Sequence, residues 1–354
     1  MKKTALLLML ISLISKFFGL LRDIVLSYYY GASIISDAYL ISQTIPIVIF
    51  SFIGIGISTG YIPMYTDINK NKGVSEANKF TTNLLNVILV LCFIIIIFIF
   101  INTEIVVKLF ASGFEGETLV IARQFTRISI IGIIFTSIVN IISSLLQIYD
   151  RYIISAISVI PMNLTIILSI ILSIKTDVRL IAFGSVIAII IQVFTLIPSV
   201  RKNGYKYKLA IDLKDDNIKK MFYLTLPTIL GVAINDINVL IDRTIASNIS
   251  IGGISALNYA NQINRFIHGV FVLSIATIFY PTISKLVVKN DIVKLKMVLN
   301  QSITGVLIIT VPSSVGILFF SEEIVRLLFE RGAFDLNAML LTSTKGLLWI
   351  PSLS

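Results

Sequence analysis

Ser15-Lys16-Phe17-Phe18-Gly19-Leu20-Leu21-Arg22-Asp23 closes an apolar stretch that begins at Ala5. The stretch is long enough to cross a bilayer, whose hydrocarbon core of about 30 Å takes about 20 apolar residues as a helix. Two cations and a carboxylate at its end need a reason. An ionisable side chain at membrane depth costs about 2.5–3.5 kcal/mol on insertion scales, so one that persists faces a hydrated cavity, a partner or a charged ligand. The run reads as a membrane helix that borders a transport path.

The rest of the chain has the same character. Of its 354 residues 56% are hydrophobic and 14% charged, and the mean hydropathy is +0.95, whereas a soluble domain carries about 25% charged residues. The fold class is an all-α integral membrane protein. Apolar segments predict ten transmembrane helices, at 5–24, 37–64, 80–102, 121–148, 152–174, 179–200, 221–247, 254–284, 299–320 and 336–354. The apolar run Leu6–Ile14 is not followed by a small-residue cleavage site, so the amino terminus reads as a retained helix rather than a signal peptide. One cysteine, Cys92, offers neither a disulfide framework nor a thiolate cluster.

The net charge of +10 is spread over short loops between spans rather than gathered in one patch, which points to topology and not to nucleic acid. Loops alternate in cation content as the positive-inside rule requires. Lys2, Lys3, Lys70, Lys72, Lys79, Arg151 and the cluster from Arg201 to Lys220 fall on one side. Glu104, Glu115, Glu117, Glu322 and Glu323 fall on the other. The amino terminus is expected in the cytoplasm of a bacterial cell, with the chain multi-pass in the cytoplasmic membrane.

The basic stretch 201–220 divides six spans from four, giving an N-lobe at 1–200, a cytoplasmic linker at 201–220 and a partial C-lobe at 221–354. Glu104-Ile105-Val106-Val107-Lys108-Leu109-Phe110-Ala111-Ser112-Gly113 resembles Glu323-Ile324-Val325-Arg326-Leu327-Leu328-Phe329-Glu330-Arg331-Gly332 at an offset of 219, and Tyr61-Ile62-Pro63 resembles Phe279-Tyr280-Pro281 at 218. Two matches at nearly one offset predict two parallel copies of a six-helix repeat, the second incomplete.

Soluble catalysis has little to work with. The single histidine, His268, lies on the eighth span beside Arg265 and reads as a packing or cavity residue. No phosphate loop, nucleophile elbow or metal-spaced cluster is present in the sequence. Lys16 and Asp23, seven apart, share a face of the first helix, and Arg22 points elsewhere, towards a ligand or snorkelling to the interface. Asp37 opens the second span as an N-cap or as a partner of Arg22. On the seventh span Asn235, Asn238 and Asp242 form a stripe, with Asp236 and Arg243 adjacent, suited to a cation or a sugar or to polar packing between helices. Asn258, Asn261, Gln262, Arg265 and His268 form a second stripe on the eighth.

At these residues the chain resembles a known family. Ser15 to Asp23, Gly31-Ala32, Ser36-Asp37-Ala38-Tyr39, Ile45-Pro46, Tyr61-Ile62-Pro63, Ile241 to Ser247, Ser255 to Ala260 and Phe329 to Phe334 resemble, in order and spacing, the MurJ/MviN family. These are lipid II flippases of peptidoglycan synthesis within the multidrug and polysaccharide exporter group. The resemblance implies fourteen helices in two lobes around a cationic cavity and alternating access driven by Na⁺ or membrane potential. It also implies that Lys16 and Arg22, with Asp23 and Asp37 beside them, face the diphosphate of a lipid-linked glycan.

Two departures stand out. Ile47 to Gly54 carries no charge where the family has an Arg pair and a Glu, and Asn261-Gln262 stands where it has Asp-Arg, leaving Arg265 one turn on as the substitute for Gln262. The expected protein is thus a transporter and not an enzyme, without cofactor or firm metal site. Its partners are a lipid-linked diphosphate glycan and membrane lipid, most simply lipid II. Another polyprenyl-linked polysaccharide unit, or a truncated non-transporting membrane protein, is the alternative.

Overall fold

The computed structural model describes residues 2–207, 211–212, 215–288 and 291–343, and helices account for the architecture. In chain order they are α1 (Lys2–Tyr30), α2 (Ile34–Gly56), a π-helical turn (Ile57–Tyr61), α3 (Ile62–Lys72), α4 (Val74–Ile101), α5 (Thr103–Phe110), α6 (Gly116–Ser129) and α7 (Gly132–Ile148). Then follow α8 (Tyr152–Ile157), α9 (Val159–Ser173), α10 (Leu180–Lys202), α11 (Asp216–Ile249), α12 (Gly253–Val288), α13 (Ile292–Phe319), α14 (Ser321–Phe329) and α15 (Leu336–Leu340).

In hydrocarbon every backbone N–H and C=O must find a partner inside the protein, and a helix supplies all of them within one segment. Among the described residues six helical segments are long and apolar enough to cross a membrane, or seven when α6 and α7, bent by 43° at their junction, count as one span. The tenth expected span, 336–354, lies mostly outside the described residues, as do the side chain of His268 and those of Tyr280 and Pro281.

Contacts divide the chain into two units, Ser33–Ile254 and the combination of Met1–Ala32 with Ser255–Ser354. In the first, α2 starts with a capping box. The Ser33 hydroxyl accepts from the Ser36 amide, and the Ser33 amide donates to the Ser36 hydroxyl. Where α2 runs towards Pro63, which has no amide to close the ladder, the backbone widens into the π turn. Its inner face carries Ile57, Tyr61, Met64 and Tyr65 into a core with Leu84, Leu145 and Leu196.

The basic segment after α10 is strapped to α4. Tyr205 and Tyr207 reach Thr82 and Asn86 through their hydroxyls at 3.0 and 2.6 Å, and Asn83 exchanges hydrogen bonds with the backbone of Asp212 at 2.7 and 3.0 Å. Burial of Tyr205 pushes its phenol above the ordinary value. In the same unit the turn after α5 sits on the end of α11. Gly113 donates its amide to the Ser247 hydroxyl at 3.1 Å, and a Cβ on Gly113 would lie 2.3 Å from the Ser247 carbonyl oxygen.

The second unit repeats this device. After α14, the turn Glu330–Phe334 sits on the end of α1: the Ala333 amide donates to the Tyr28 carbonyl at 2.8 Å, and Tyr259 donates its hydroxyl to the Gly31 carbonyl at 2.9 Å. Tyr259, Phe329 and Phe334 pack as an aromatic triangle with centroids 5.1–5.9 Å apart. Gly332 has φ +67°, and a Cβ there would lie 2.2 Å from the Tyr28 carbonyl oxygen.

Left-handed strain in a non-glycine residue costs about 1–3 kcal/mol and the overlap adds to it. Gly332→Ala is therefore expected to cost about 2 kcal/mol or more, read as a lower Tm of the detergent-purified protein. Gly305→Ala, in a helix with nothing within 4 Å of the new Cβ, leaves Tm unchanged or raises it.

Candidate functional site

The charged face of α1 is built on one stripe. Lys16, Gly19 and Asp23 recur at helical spacing, and the stripe is crossed by Gln262 of α12, whose Nε2 lies 3.6 Å from where a Cβ on Gly19 would stand. Lys16 is half-buried and makes no hydrogen bond or ion pair among the described residues.

Asp23 is 2% exposed, and its Oδ1 accepts from Arg22 Nε at 3.0 Å and Nη2 at 2.9 Å. Its other oxygen has no partner among the described residues. The pair thus places a neutralised charge next to an uncompensated Lys16, with one buried carboxylate oxygen left to accept a donor. Gln262 joins this group, whereas Arg265 is exposed.

The remaining residues belong to the other unit. Asp37 is 2% exposed, but the N-cap of α2 is Ser33, and Asp37 Oδ2 accepts the Gly252 amide at 2.7 Å. That bond ties the first turn of α2 to the turn between α11 and α12. Arg243, 7% exposed, donates to the Ile254 carbonyl at 3.1 Å beside it. Both are therefore engaged with backbone, a role that sequence spacing does not reveal because Gly252 lies 215 positions from Asp37.

Asp236 accepts the Ser51 hydroxyl of α2 in a short hydrogen bond. Asn235 and Asn238 are exposed and Asp242 is half-buried along the expected stripe of α11, with no hydrogen bond among the described residues. Among those residues no group of three or more His, Cys, Asp or Glu side chains is placed to hold a metal ion.

Six or seven helices long and apolar enough to cross a membrane define a polytopic membrane protein, and α1 adds a half-buried lysine and a buried Arg–Asp pair. The family model described as lipid II flippase MurJ matches residues 26–349. The chain belongs to that family. It is 26% identical over 348 residues to the probable lipid II flippase MurJ of Buchnera aphidicola subsp. Baizongia pistaciae (strain Bp), covering 96% of this chain and 67% of that protein. To the lipid II flippase MurJ of Thermosipho africanus (strain TCF52B) it is 28% identical over 330 residues, covering 93% and 66% respectively. A solved structure titled lipid II flippase MurJ, inward closed conformation, superposes with a TM-score of 0.86 at 27% identity, covering 98% of this chain and 72% of that one. The chain spans about two-thirds of the length of these two curated relatives.

Removing Arg22 strands the Asp23 carboxylate. Hydrogen bonds to a charged group are worth about 1.5–3 kcal/mol, so Arg22→Ala is expected to lower stability by about that amount and the double variant Arg22→Ala/Asp23→Asn to recover most of it. Thermal unfolding in one detergent measures both.

Proposed function

We propose that the chain translocates the undecaprenyl-diphosphate-linked peptidoglycan precursor, lipid II, across the bacterial cytoplasmic membrane by alternating access. The single observation that carries this reading is Lys16, a half-buried cation without hydrogen bond or ion pair among the described residues, on a helix whose sequence predicts a membrane span, in a chain matched to the flippase family over residues 26–349. A diphosphate drawn to that depth needs positive charge, and an ammonium supplies it through charge-assisted hydrogen bonds. Gln262 and Asp23 offer an amide and a buried carboxylate oxygen for the hydroxyl and amide groups next to the diphosphate. In this reading Arg22 orients Asp23 and Asp37 braces a turn, so neither grips the substrate directly.

The finer architecture belongs to the same proposal: ten spans, amino terminus in the cytoplasm and two parallel repeats. Support for the repeat comes from the two docked turns. Tyr28 and Ser247 are 219 apart, as are Gly113 and Gly332, and in each docking a glycine lies against the carbonyl of the matching helix-end residue. At the same offset the stripe Lys16, Gly19, Asp23 falls on Asn235, Asn238, Asp242. The first helix of each copy therefore packs with the remainder of the other copy. This agrees with contact units that join 1–32 to 255–354 and keep α11 with α2 to α10. The covalent lobes at 1–200 and 221–354 and the contact units then differ by that exchange.

Coupling to Na⁺ or to membrane potential is part of the proposal too, with the α11 stripe of Asn235, Asn238 and Asp242 as the oxygen-rich face available to a cation.

Complementation of cells depleted of their own lipid II flippase tests the reading. The chain is expected to restore growth, Lys16→Ala to abolish rescue, Lys16→Arg to retain it, and Arg265→Gln to have little effect. Absence of rescue by the expressed wild-type chain, or full rescue by Lys16→Ala, would contradict it.

A further inference from the structure

Within the unit 33–254 lies a cavity of about 750 Å³ that the flippase reading does not use. Its walls come from α4, α7 and α10 and are largely apolar, with Leu85, Leu89, Ile138, Ile142 and Ile197 among them. The polar lining gathers at one end. Because α4 runs opposite to α7 and α10, the early residue Thr81 on α4 lies level with the late residue Arg201 on α10, and Tyr205, Lys206 and Tyr207 follow immediately.

The two phenol groups at that end are already engaged with Thr82 and Asn86. Arg201 and Lys206 are exposed and form no ion pair among the described residues. What the cavity offers is therefore a greasy slot with a doubly cationic mouth.

We propose that this cavity holds an acyl chain of an anionic glycerophospholipid, with its phosphate between Arg201 and Lys206. Charge selects the headgroup, because basic pockets between membrane helices recruit acidic lipid through the same attraction that binds polybasic segments to an anionic leaflet. Shape selects the tail. An unfilled apolar cavity forfeits dispersion contacts on every wall and gives water too few polar partners. A free anion would satisfy the mouth and leave the slot empty. From Val193 to Arg201 the lining of α10 extends about 12 Å at about 1.5 Å per residue, room for a good part of one chain. The lipid is a resident of this site and not the transported cargo, since none of Lys16, Asp23 or Gln262 lines it.

The test is lipid binding by native mass spectrometry on the full chain purified in mild detergent, with phosphatidylglycerol, phosphatidylcholine, undecaprenyl phosphate and inorganic phosphate as the probes. Wild type is expected to retain phosphatidylglycerol at least tenfold more than phosphatidylcholine. The variant Arg201→Ala/Lys206→Ala, altered at exposed positions only, should lose that preference, and Ile142→Trp, which fills the slot, should lose both lipids.

Equal retention of the two phospholipids by wild type would overturn the proposal, as would an unchanged preference in the charge variant, which decides the matter even if Ile142→Trp does not fold. Displacement of phosphatidylglycerol by equimolar inorganic phosphate would assign the cations to a free anion. Stronger, charge-dependent retention of undecaprenyl phosphate would assign the slot to a polyprenyl carrier. Either result also overturns it. Flipping is not the readout, so failure here leaves the transport reading untouched.

Discussion

The cost of an ionised group in hydrocarbon governs what α1 can do. Arg22 and Asp23 meet that cost together, through a hydrogen bond of 3.0 Å and an ion-pair contact of 2.9 Å to one carboxylate oxygen. Lys16 does not among the described residues, and where a helix crosses a membrane a lone ammonium is tolerated only where water or an anion reaches it. One helix thus holds a charge pair and, two turns away, the cation proposed to meet the substrate. Gly19 sits between them, and the Gln262 amide nitrogen lies in ordinary van der Waals range of where its Cβ would stand. A family member with arginine at that place on the eighth span would bring a second cation to the same contact. Here the amide leaves the charge with Lys16.

A second constraint sets where α1 and α11 end. Their last carbonyls are covered by glycine-bearing turns, at 2.2 Å and 2.3 Å from the would-be Cβ of Gly332 and Gly113. Contacts this close admit hydrogen and nothing larger, so they fix the height of each helix end to within a few tenths of an ångström. The buried Asp37–Gly252 bond adds a third fixed point, between the start of α2 and the end of α11.

Much of this is legible in the amino-acid order, for physical reasons that also mark the limit. Bilayer-length apolar runs locate the helices because a helix satisfies every backbone group within one segment in lipid, and the family membership follows from motifs spread along the chain. The break at Ile130–Ile131 between α6 and α7 is not legible, since an apolar run reads the same whether straight or bent by 43°. Nor are the roles of Thr82, Asn83 and Asn86. Polar residues on a span look alike whether they serve a cavity or, as here, strap the segment after α10 to α4.

At the site, spacing alone brings out the Lys16, Asp23 face and the Asn235, Asn238, Asp242 stripe, because helical periodicity is local. Of the two readings of Asp37, the N-cap falls to Ser33, and the bond from a backbone amide 215 residues away is out of reach of local spacing. The motif from Phe329 to Phe334 is equally opaque in sequence. Its aromatic rings and glycine hold the end of α1, and no ligand chemistry is needed to explain them.

Lys16 is the residue proposed to bind the diphosphate. The most direct test is the affinity of the purified full chain for lipid II in nanodiscs, compared with Lys16→Ala and Lys16→Arg at two salt concentrations. Lys16→Ala is expected to weaken binding at least tenfold and to flatten its salt dependence, while Lys16→Arg stays close to wild type. Equal lipid II affinity in wild type and Lys16→Ala would contradict it.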